Sequence, residues 1–333
     1  MAEKKEKPRY NAGRRIRWLG VAIVVAVIAY SGGWYWLAGQ VETQASGFVE
    51  EQRQLGLAID CADRDVRGYP FRLEIFCTSL EVKRPAEGLN VEAGAFRSAA
   101  QVYEPKRIYA ELDAPVSVAS PVFGQVEADW TLGHATATLA EPLPTLASVA
   151  FDNLDLSFAG LQKALTATLA EAHMRTQDQE LDLAFRYEGL TIDPRLVDDR
   201  ILPVLSGDAD LRLKDGVALA TQGVSTLRGA AGEIHRLALL LTPERGFLVS
   251  GPFEIGADGL IDATLKIIIV DPAGFAAAMK PVFPEYASQI DMVASGQKQA
   301  GPDGTPELQL PINIRDGRAA LGFIPLGNIP PLD

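Results

Sequence analysis

The feature that most constrains this chain is an apolar stretch close to its N-terminus. No Asp, Glu, Lys or Arg occurs between Trp18 and Val41. As a helix rising about 1.5 Å per residue, residues 18–38 would extend roughly 30 Å, which is the thickness of the hydrocarbon core of a bilayer. The sequence therefore predicts one transmembrane helix over residues 18–38.

The residues on either side of this stretch predict its orientation. Seven basic and two acidic residues precede Trp18, so residues 1–17 are expected to form a cytoplasmic basic tail. A cleaved signal peptide has the same basic-then-apolar plan. The aromatic run Trp34, Tyr35 and Trp36 suits the outer headgroup region better than a cleavage site, which favours a retained anchor. Residues 39–333 are then translocated as one domain.

Two cysteines, Cys61 and Cys77, are the only ones in the chain. They do not form a Cys-x-x-Cys pair, and the nearest histidine, His134, lies far along the sequence. In an oxidising compartment two such cysteines usually pair. We therefore expect a structural disulfide, which closes a loop of about 17 residues and stabilises the fold by about 3 kcal/mol. Two buried free thiols are the alternative.

The charge of the translocated part excludes one class of partner. Beyond the basic tail the chain carries 24 basic and 41 acidic residues, a net charge of −17. Such a domain is repelled by the phosphates of nucleic acid, so we expect no nucleic-acid partner. The 47% apolar content also excludes a disordered tether.

Most of the remaining sequence alternates apolar and polar residues with a period of two, which is typical of strands with one dry and one wet face. Turn signals recur every ten to fifteen residues, and Asp-Gly pairs at 215–216, 258–259 and 316–317 predict hairpins. Because no helices separate these strands, a parallel α/β sheet is excluded. The prediction is a mainly β (α+β) fold, a large curved antiparallel sheet with a few helices, preceded by the transmembrane helix.

Helices are predicted in three places. Residues 41–57 are expected to continue the anchor outward, and residues 193–207 allow a short helix that Pro203 limits. Residues 271–297 are expected to begin a helix with Asp271 as cap and to break at Pro281 and Pro284. The sequence leaves open whether this segment fills the apolar face of the sheet.

No stretch of the sequence carries a recognisable catalytic or metal-binding pattern. The histidines His134, His173 and His235 each stand alone, and the motifs of hydrolases, nucleotide-binding proteins and zinc proteases are missing. We expect no catalytic residue, no metal and no cofactor, and hence no enzyme. An active site assembled from distant residues is the alternative.

Three stretches resemble a known family. They are "C…GYPFRLEIFC" around residues 61–77, "QVYEPKRIYAELDAPV" at 101–116 and "DGRAALGFIPLGNIPPL" at 316–332. In this order they resemble the proteobacterial domain of unknown function 2125 (DUF2125). The resemblance implies a Gram-negative inner-membrane anchor with a periplasmic β-rich body, and it implies no reaction. The plan is more distantly similar to AsmA-like envelope proteins, which implies lipid handling and envelope homeostasis.

The motif Gly68, Tyr69, Pro70, Phe71 and Arg72 is interpreted as structural. Gly68 supplies unusual backbone angles, Pro70 fixes the entry to a strand, and Tyr69 and Phe71 are expected to be buried. The disulfide is expected to join the strand ending near 62 to the strand of Cys77 as a hairpin. In the alternative interpretation Tyr69 and Arg72 contact a ligand or partner.

Two functions follow from this plan. The first is binding of a lipid or other amphiphile in an apolar groove along the curved sheet, which predicts an open apolar concave face. The alternative is a non-catalytic scaffold that binds an envelope protein partner through sheet edges or the anchor, which predicts a filled sheet.

Overall fold

The computed structural model describes residues 12–121, 124–158, 160–221, 227–301, 304–322 and 324–332. These residues form a long N-terminal helix followed by one antiparallel sheet, so the predicted fold class is confirmed. The basic tail is largely outside the described residues, which begin at residue 12. The helices are α1 (Ala12–Gln54), α2 (Gly216–Thr221), α3 (Pro272–Met279) and α4 (Ala287–Ala294).

The strands in the described part of the chain are short near the N-terminus and longer from residue 146 onward. In chain order they are β1 (Ala58–Cys61), β2 (Asp65–Arg67), β3 (Arg72–Cys77), β4 (Leu80–Arg84), β5 (Leu89–Ala93), β6 (Phe96–Gln101), β7 (Glu104–Leu112), β8 (Val116–Ser120), β9 (Gly124–Asp129), β10 (Leu132–Thr138), β11 (Leu146–Phe158), β12 (Leu161–Gln177), β13 (Glu180–Ile192), β14 (Leu205–Lys214), β15 (Ala231–Thr242), β16 (Arg245–Ile255), β17 (Ile261–Val270), β18 (Gln299–Ala300), β19 (Pro306–Arg315), β20 (Arg318–Leu321) and β21 (Ile324–Asn328).

Helix α1 unites the predicted transmembrane helix with the predicted helix that follows it. It runs without interruption for 43 residues because no proline occurs in this stretch. It is long and apolar enough to span a membrane. Residues 13–30 are exposed along their whole length. Contact with the rest of the chain begins at Tyr30, and α1 then lies against β1 and β2.

The first ten strands form five consecutive pairs. The short breaks between the two strands of each pair lie side by side across the sheet, and we call this line of breaks the crease. β1 and β2, β3 and β4, β5 and β6, β7 and β8, and β9 and β10 each follow one another with two or three residues between them. One arm, β10–β7–β6–β3–β2, pairs with the first half of β11, and the other, β9–β8–β5–β4–β1, starts from its second half. Backbone hydrogen bonds continue across the crease, such as Thr78 N to Ala62 O at 2.9 Å and Asp113 N to Ala95 O at 2.8 Å.

Cys61 and Cys77 form the predicted disulfide, with Cα atoms 5.3 Å apart. The predicted hairpin between their strands is wrong. β1 pairs with β4, whereas β3 pairs with β2 and β6, so the bond crosses the crease and joins one arm to the other. The reason is that Thr78 and Ser79 interrupt the strand just after Cys77, so the residues opposite Cys61 belong to β4.

From β11 onward the sheet is a meander in which neighbours in sequence are neighbours in space up to β17. β19 then pairs with β17, and β20 and β21 follow. The hairpins at 258–259 and 316–317 are confirmed by the pairs Ile255–Ile261 and Arg315–Arg318. The hairpin predicted at 215–216 is wrong, because Gly216 begins α2 instead.

The predicted helical segment 271–297 is confirmed in its details. The Asp271 side chain accepts a hydrogen bond from Gly274 N at 3.0 Å, and α3 starts at Pro272. The prolines separate α3 from a 3₁₀ turn at Pro284–Tyr286 and from α4. The helix allowed over residues 193–207 is reduced to a 3₁₀ turn at Pro194–Leu196, since Asp198 and Asp199 adopt left-handed backbone angles that end it.

Removal of the disulfide is expected to destabilise the sheet at its crease. The double variant Cys61→Ser/Cys77→Ser should lose about 3 kcal/mol of unfolding free energy, because the unfolded chain regains the freedom of the closed loop. Thermal unfolding of the full chain in detergent, followed by circular dichroism, measures this as a lower Tm. Dithiothreitol should lower the Tm of the wild type and leave that of the variant unchanged. Equal melting of the two proteins without reductant would contradict the prediction.

Candidate functional site

One row of apolar side chains runs across the sheet from β2 to β19. Cross-strand pairing places thirteen residues directly opposite one another, one from each of thirteen strands, and all but Ser98 are apolar. We call this set the apolar row: Val66, Ile75, Ser98, Ala110, Ala135, Val149, Ala172, Phe185, Ala209, Leu237, Val249, Ile267 and Leu310.

The apolar row is not covered. Each of its members is partly or largely exposed, and the Phe185 side chain is 46% exposed. The opposite face of the same strands is polar, with His134 and Glu171 flanking Ala150, and Arg186 beside Asp208. The sheet is therefore amphipathic, and its apolar face is open to its surroundings.

A cavity of about 360 Å³ lies on this face over β7, β10, β11, β12 and β13. Five strands at about 4.8 Å spacing cover roughly 19 Å, so a single cavity lined by all five requires a concave sheet. Alanines form its floor, and larger side chains flank it. The lining residues from the apolar row and the parallel row beside it are Ile108, Ala110, Ala135, Ala137, Ala147, Val149, Ala172, Met174, Leu183 and Phe185.

Helices α3 and α4 do not fill this groove. They pack over the far end of the same face, where Phe275 contacts Phe247 edge to face with ring centroids 6.4 Å apart. A second apolar cavity of about 270 Å³ separates α4 from Ile269 and α3. The segment 271–297 therefore caps the apolar face near β16, β17 and β19 and leaves it open over β7–β13.

Ion pairs occupy the opposite face of the strands that line the groove. Asp182 lies between Arg175 and Arg212, with closest distances of 2.6 and 2.7 Å. The hydrogen bonds from Arg212 and then Arg175 hold the pKa of Asp182 below its ordinary value. These charged cross-strand contacts favour one register and keep this face in water.

The Gly68–Arg72 motif docks on α1. Tyr30 donates its hydroxyl proton to Pro70 O at 2.6 Å, and the hydroxyls of Ser31 and Tyr69 lie 2.7 Å apart. Trp34 Nε1 donates to Arg72 O at 3.0 Å. The motif is thus bound by three residues that lie one turn apart or less on the anchor helix.

Ring contacts complete this junction. The Trp34 side chain is only 5% exposed and packs edge to face on Tyr69, with ring centroids 5.5 Å apart. Tyr69 also stacks on Tyr35 at 5.9 Å. Farther along α1, Arg64 binds Glu42 at 2.7 Å. We call these contacts of α1 with residues 64–72 the anchor junction.

The expectation that Tyr69 and Phe71 are buried is wrong. Their side chains are 47% and 68% exposed, because the motif lies at the edge of the sheet and has α1 as its packing partner on one side. Gly68 has the left-handed φ of +104° that its assigned role requires, and a Cβ there would meet Arg72 O at 2.8 Å. Arg72 contributes its carbonyl to the junction and exposes its side chain.

The histidines remain apart from one another in the structure. His173 Nδ1 lies 2.9 Å from Ser148 Oγ on the polar face, and His134 lies beside Glu111 across a strand pair. Among the described residues no group of three or more His, Cys, Asp or Glu side chains is placed to hold a metal ion.

Comparison with protein families shows a match over most of the chain. The profile of a family described as an uncharacterized protein conserved in bacteria, DUF2125, matches residues 34–330. No curated protein matches the chain. The matched region starts at Trp34, so it includes the junction tryptophan as well as the sheet.

Trp34 is expected to hold the anchor junction together. Trp34→Ala removes a buried ring and its hydrogen bond, which typically costs about 3–5 kcal/mol for a large core aromatic. Trp36→Ala is the matched control, because the Trp36 side chain is 65% exposed. Hydrogen exchange of the full chain in detergent should be faster in residues 64–76 of Trp34→Ala and unchanged in Trp36→Ala. Equal protection of this segment in both variants would contradict the assigned role of Trp34.

Proposed function

This chain belongs to the DUF2125 family, and from that premise we propose that it binds the acyl chains of lipids or similar amphiphiles along its open apolar face. It acts as an anchored binding protein in envelope homeostasis and not as an enzyme. The function of the family is undefined, so the proposal is supported by the geometry of this chain alone.

The proposed location is the inner membrane, with the sheet in the periplasm. Arg14, Arg15 and Arg17 flank the apolar part of α1, which favours a cytoplasmic N-terminus by the positive-inside rule. The disulfide supports the same orientation, because such bonds persist in oxidising compartments.

The observation that carries the proposal is the uncovered apolar row. A water-exposed strip of this length is costly, because apolar surface loses about 25 cal/mol for each Å² that stays in water. Soluble proteins rarely leave large apolar patches open unless a ligand or partner covers them. An acyl chain fits the groove, since it is long and unbranched and gains about 0.8 kcal/mol for each buried CH₂.

The starting point of the row favours a lipid over a soluble apolar ligand. Val66 and Ile75, its first two members, lie in β2 and β3, beside the anchor junction. One end of the apolar row is therefore next to the helix proposed to span the bilayer. This arrangement is analogous to the AsmA-like plan, in which curved sheets are associated with lipid handling.

A second candidate is a scaffold that binds an envelope protein by strand addition. The outer strand β21 pairs with β20, and every residue of β21 is exposed. An open edge of this kind is a template for another strand.

Photo-crosslinking tests the lipid proposal. The full chain is reconstituted in nanodiscs that contain a phospholipid with a diazirine in its acyl chain, irradiated, digested and mapped by mass spectrometry. We expect adducts on the strands that line the groove. Ala172→Glu places a charge in the apolar row and should reduce these adducts about tenfold or more, since each 1.4 kcal/mol of lost affinity is a factor of ten.

Ala184→Glu is the matched control, because Ala184 lies opposite His173 on the polar face one strand away. It should leave the adducts unchanged. Adducts confined to residues 13–36 of α1 in the wild type would contradict acyl-chain binding, and a pull-down with β21 as bait would then test the scaffold.

A further inference from the structure

We propose that the two turns that carry Tyr69, Phe71 and Tyr103 insert into the headgroup region of the outer leaflet beside α1. They form a second membrane contact, separate from the anchor itself. This inference rests on the membrane-spanning part of the proposed function and not on acyl-chain binding in the groove.

The length of the exposed part of α1 determines how deep these turns lie relative to the bilayer. Residues 13–30 of α1 are exposed along their whole length. The helix from Arg17 to Trp34 extends about 26 Å, close to the hydrocarbon thickness of about 30 Å. When α1 spans a bilayer with its arginines at the inner surface, Trp34 lies near the outer boundary of the hydrocarbon core, and Tyr30 and Ser31 lie about one turn deeper.

The anchor junction fixes the motif at this depth. Tyr30 binds Pro70 O at 2.6 Å and Ser31 lies 2.7 Å from the Tyr69 hydroxyl, so Tyr69 and Pro70 stand level with the end of the exposed part of α1. Val102 N donates to Phe71 O at 3.1 Å, which brings the turn between β6 and β7 alongside. Tyr103 is the next residue of that turn.

The side chains at this level are exposed aromatics. Phe71 is 68% and Tyr103 is 77% exposed, although large aromatic rings normally find cover in a folded protein. Tyr35 and Trp36 are also exposed on α1 at the same height. Aromatic side chains are enriched where proteins cross the membrane–water interface, because their rings suit the headgroup region.

The charge around the turns fits a membrane surface as well. Residues 68–72 and 101–107 include three basic residues and one acidic residue, Glu104. The basic residues Arg72, Lys106 and Arg107 are all exposed. The translocated part as a whole carries a net charge of −17, so its positively charged end is the one that can approach anionic headgroups.

Quenching of tryptophan fluorescence by brominated lipid tests the inference in the full chain. Trp18→Phe and Trp36→Phe give a background protein, into which Phe71→Trp or Tyr103→Trp is introduced singly. Ile201→Trp is the control, because Ile201 is exposed and lies beyond the C-terminal end of β13. That end is on the side of the sheet opposite to the two aromatic turns. Each protein is reconstituted in nanodiscs of phosphatidylcholine and phosphatidylglycerol with acyl chains brominated close to the headgroup.

We expect brominated lipid to quench the added emission at positions 71 and 103 at least threefold more than at position 201, and iodide in solution to show the reverse order. Iodide quenching at position 103 as strong as at position 201, without quenching by brominated lipid, would overturn the inference. The difference in lipid quenching between the Trp36→Phe variant and the background protein comes from Trp18 and reports separately whether α1 spans the bilayer. Diazirine adducts in the groove report separately on acyl-chain binding, so the two failures are distinguishable.

Discussion

The structure depends above all on the register of its antiparallel ladder. In a sheet with one apolar face, a slip of one residue in any strand moves all its apolar side chains to the wet face. Thirteen strands hold the register that forms the apolar row, and the bulge opposite β14 shows how strictly it is kept. There Ala209 pairs with Leu237 and Leu211 pairs with Ile234, so two steps along β14 correspond to three along β15. The extra residue in β15 keeps Leu237 and Ile234 on the same face.

The anchor acts on the same sheet from its edge. Trp34 and Tyr30 bind the motif that opens β3, and the disulfide joins the two arms of the creased region a few residues later. This edge of the sheet is thus fixed to α1 by hydrogen bonds and ring contacts, and the disulfide holds the two arms together beside it. Farther along, α3 and α4 cover part of the apolar face, and the strands between these ends remain open.

The sequence predicts the elements better than their partners. Alternation and Asp-Gly turns identify the strands, and the cap at Asp271 identifies α3, because these signals are local. The crease was missed, since it requires that Thr78, Gly94, Asp113 and Thr131 align across strands that are far apart in sequence. The burial of Tyr69 and Phe71 was predicted wrongly for a related reason. A motif of large apolar residues does not reveal whether protein or lipid covers its side chains. Tyr30 and Ser31, which are polar groups within an apolar helix, were the sequence signal for contact with another segment.

Native mass spectrometry of the full chain released from nanodiscs tests most directly whether the open apolar row binds lipid. The wild type is expected to carry bound phospholipid that survives release. Phe185→Glu should lose this lipid, and Ala184→Glu should keep it, because these neighbours point to opposite faces of β13. A lipid-free wild-type protein, or equal lipid on both variants, would contradict the claim that the open apolar row is a lipid-binding surface.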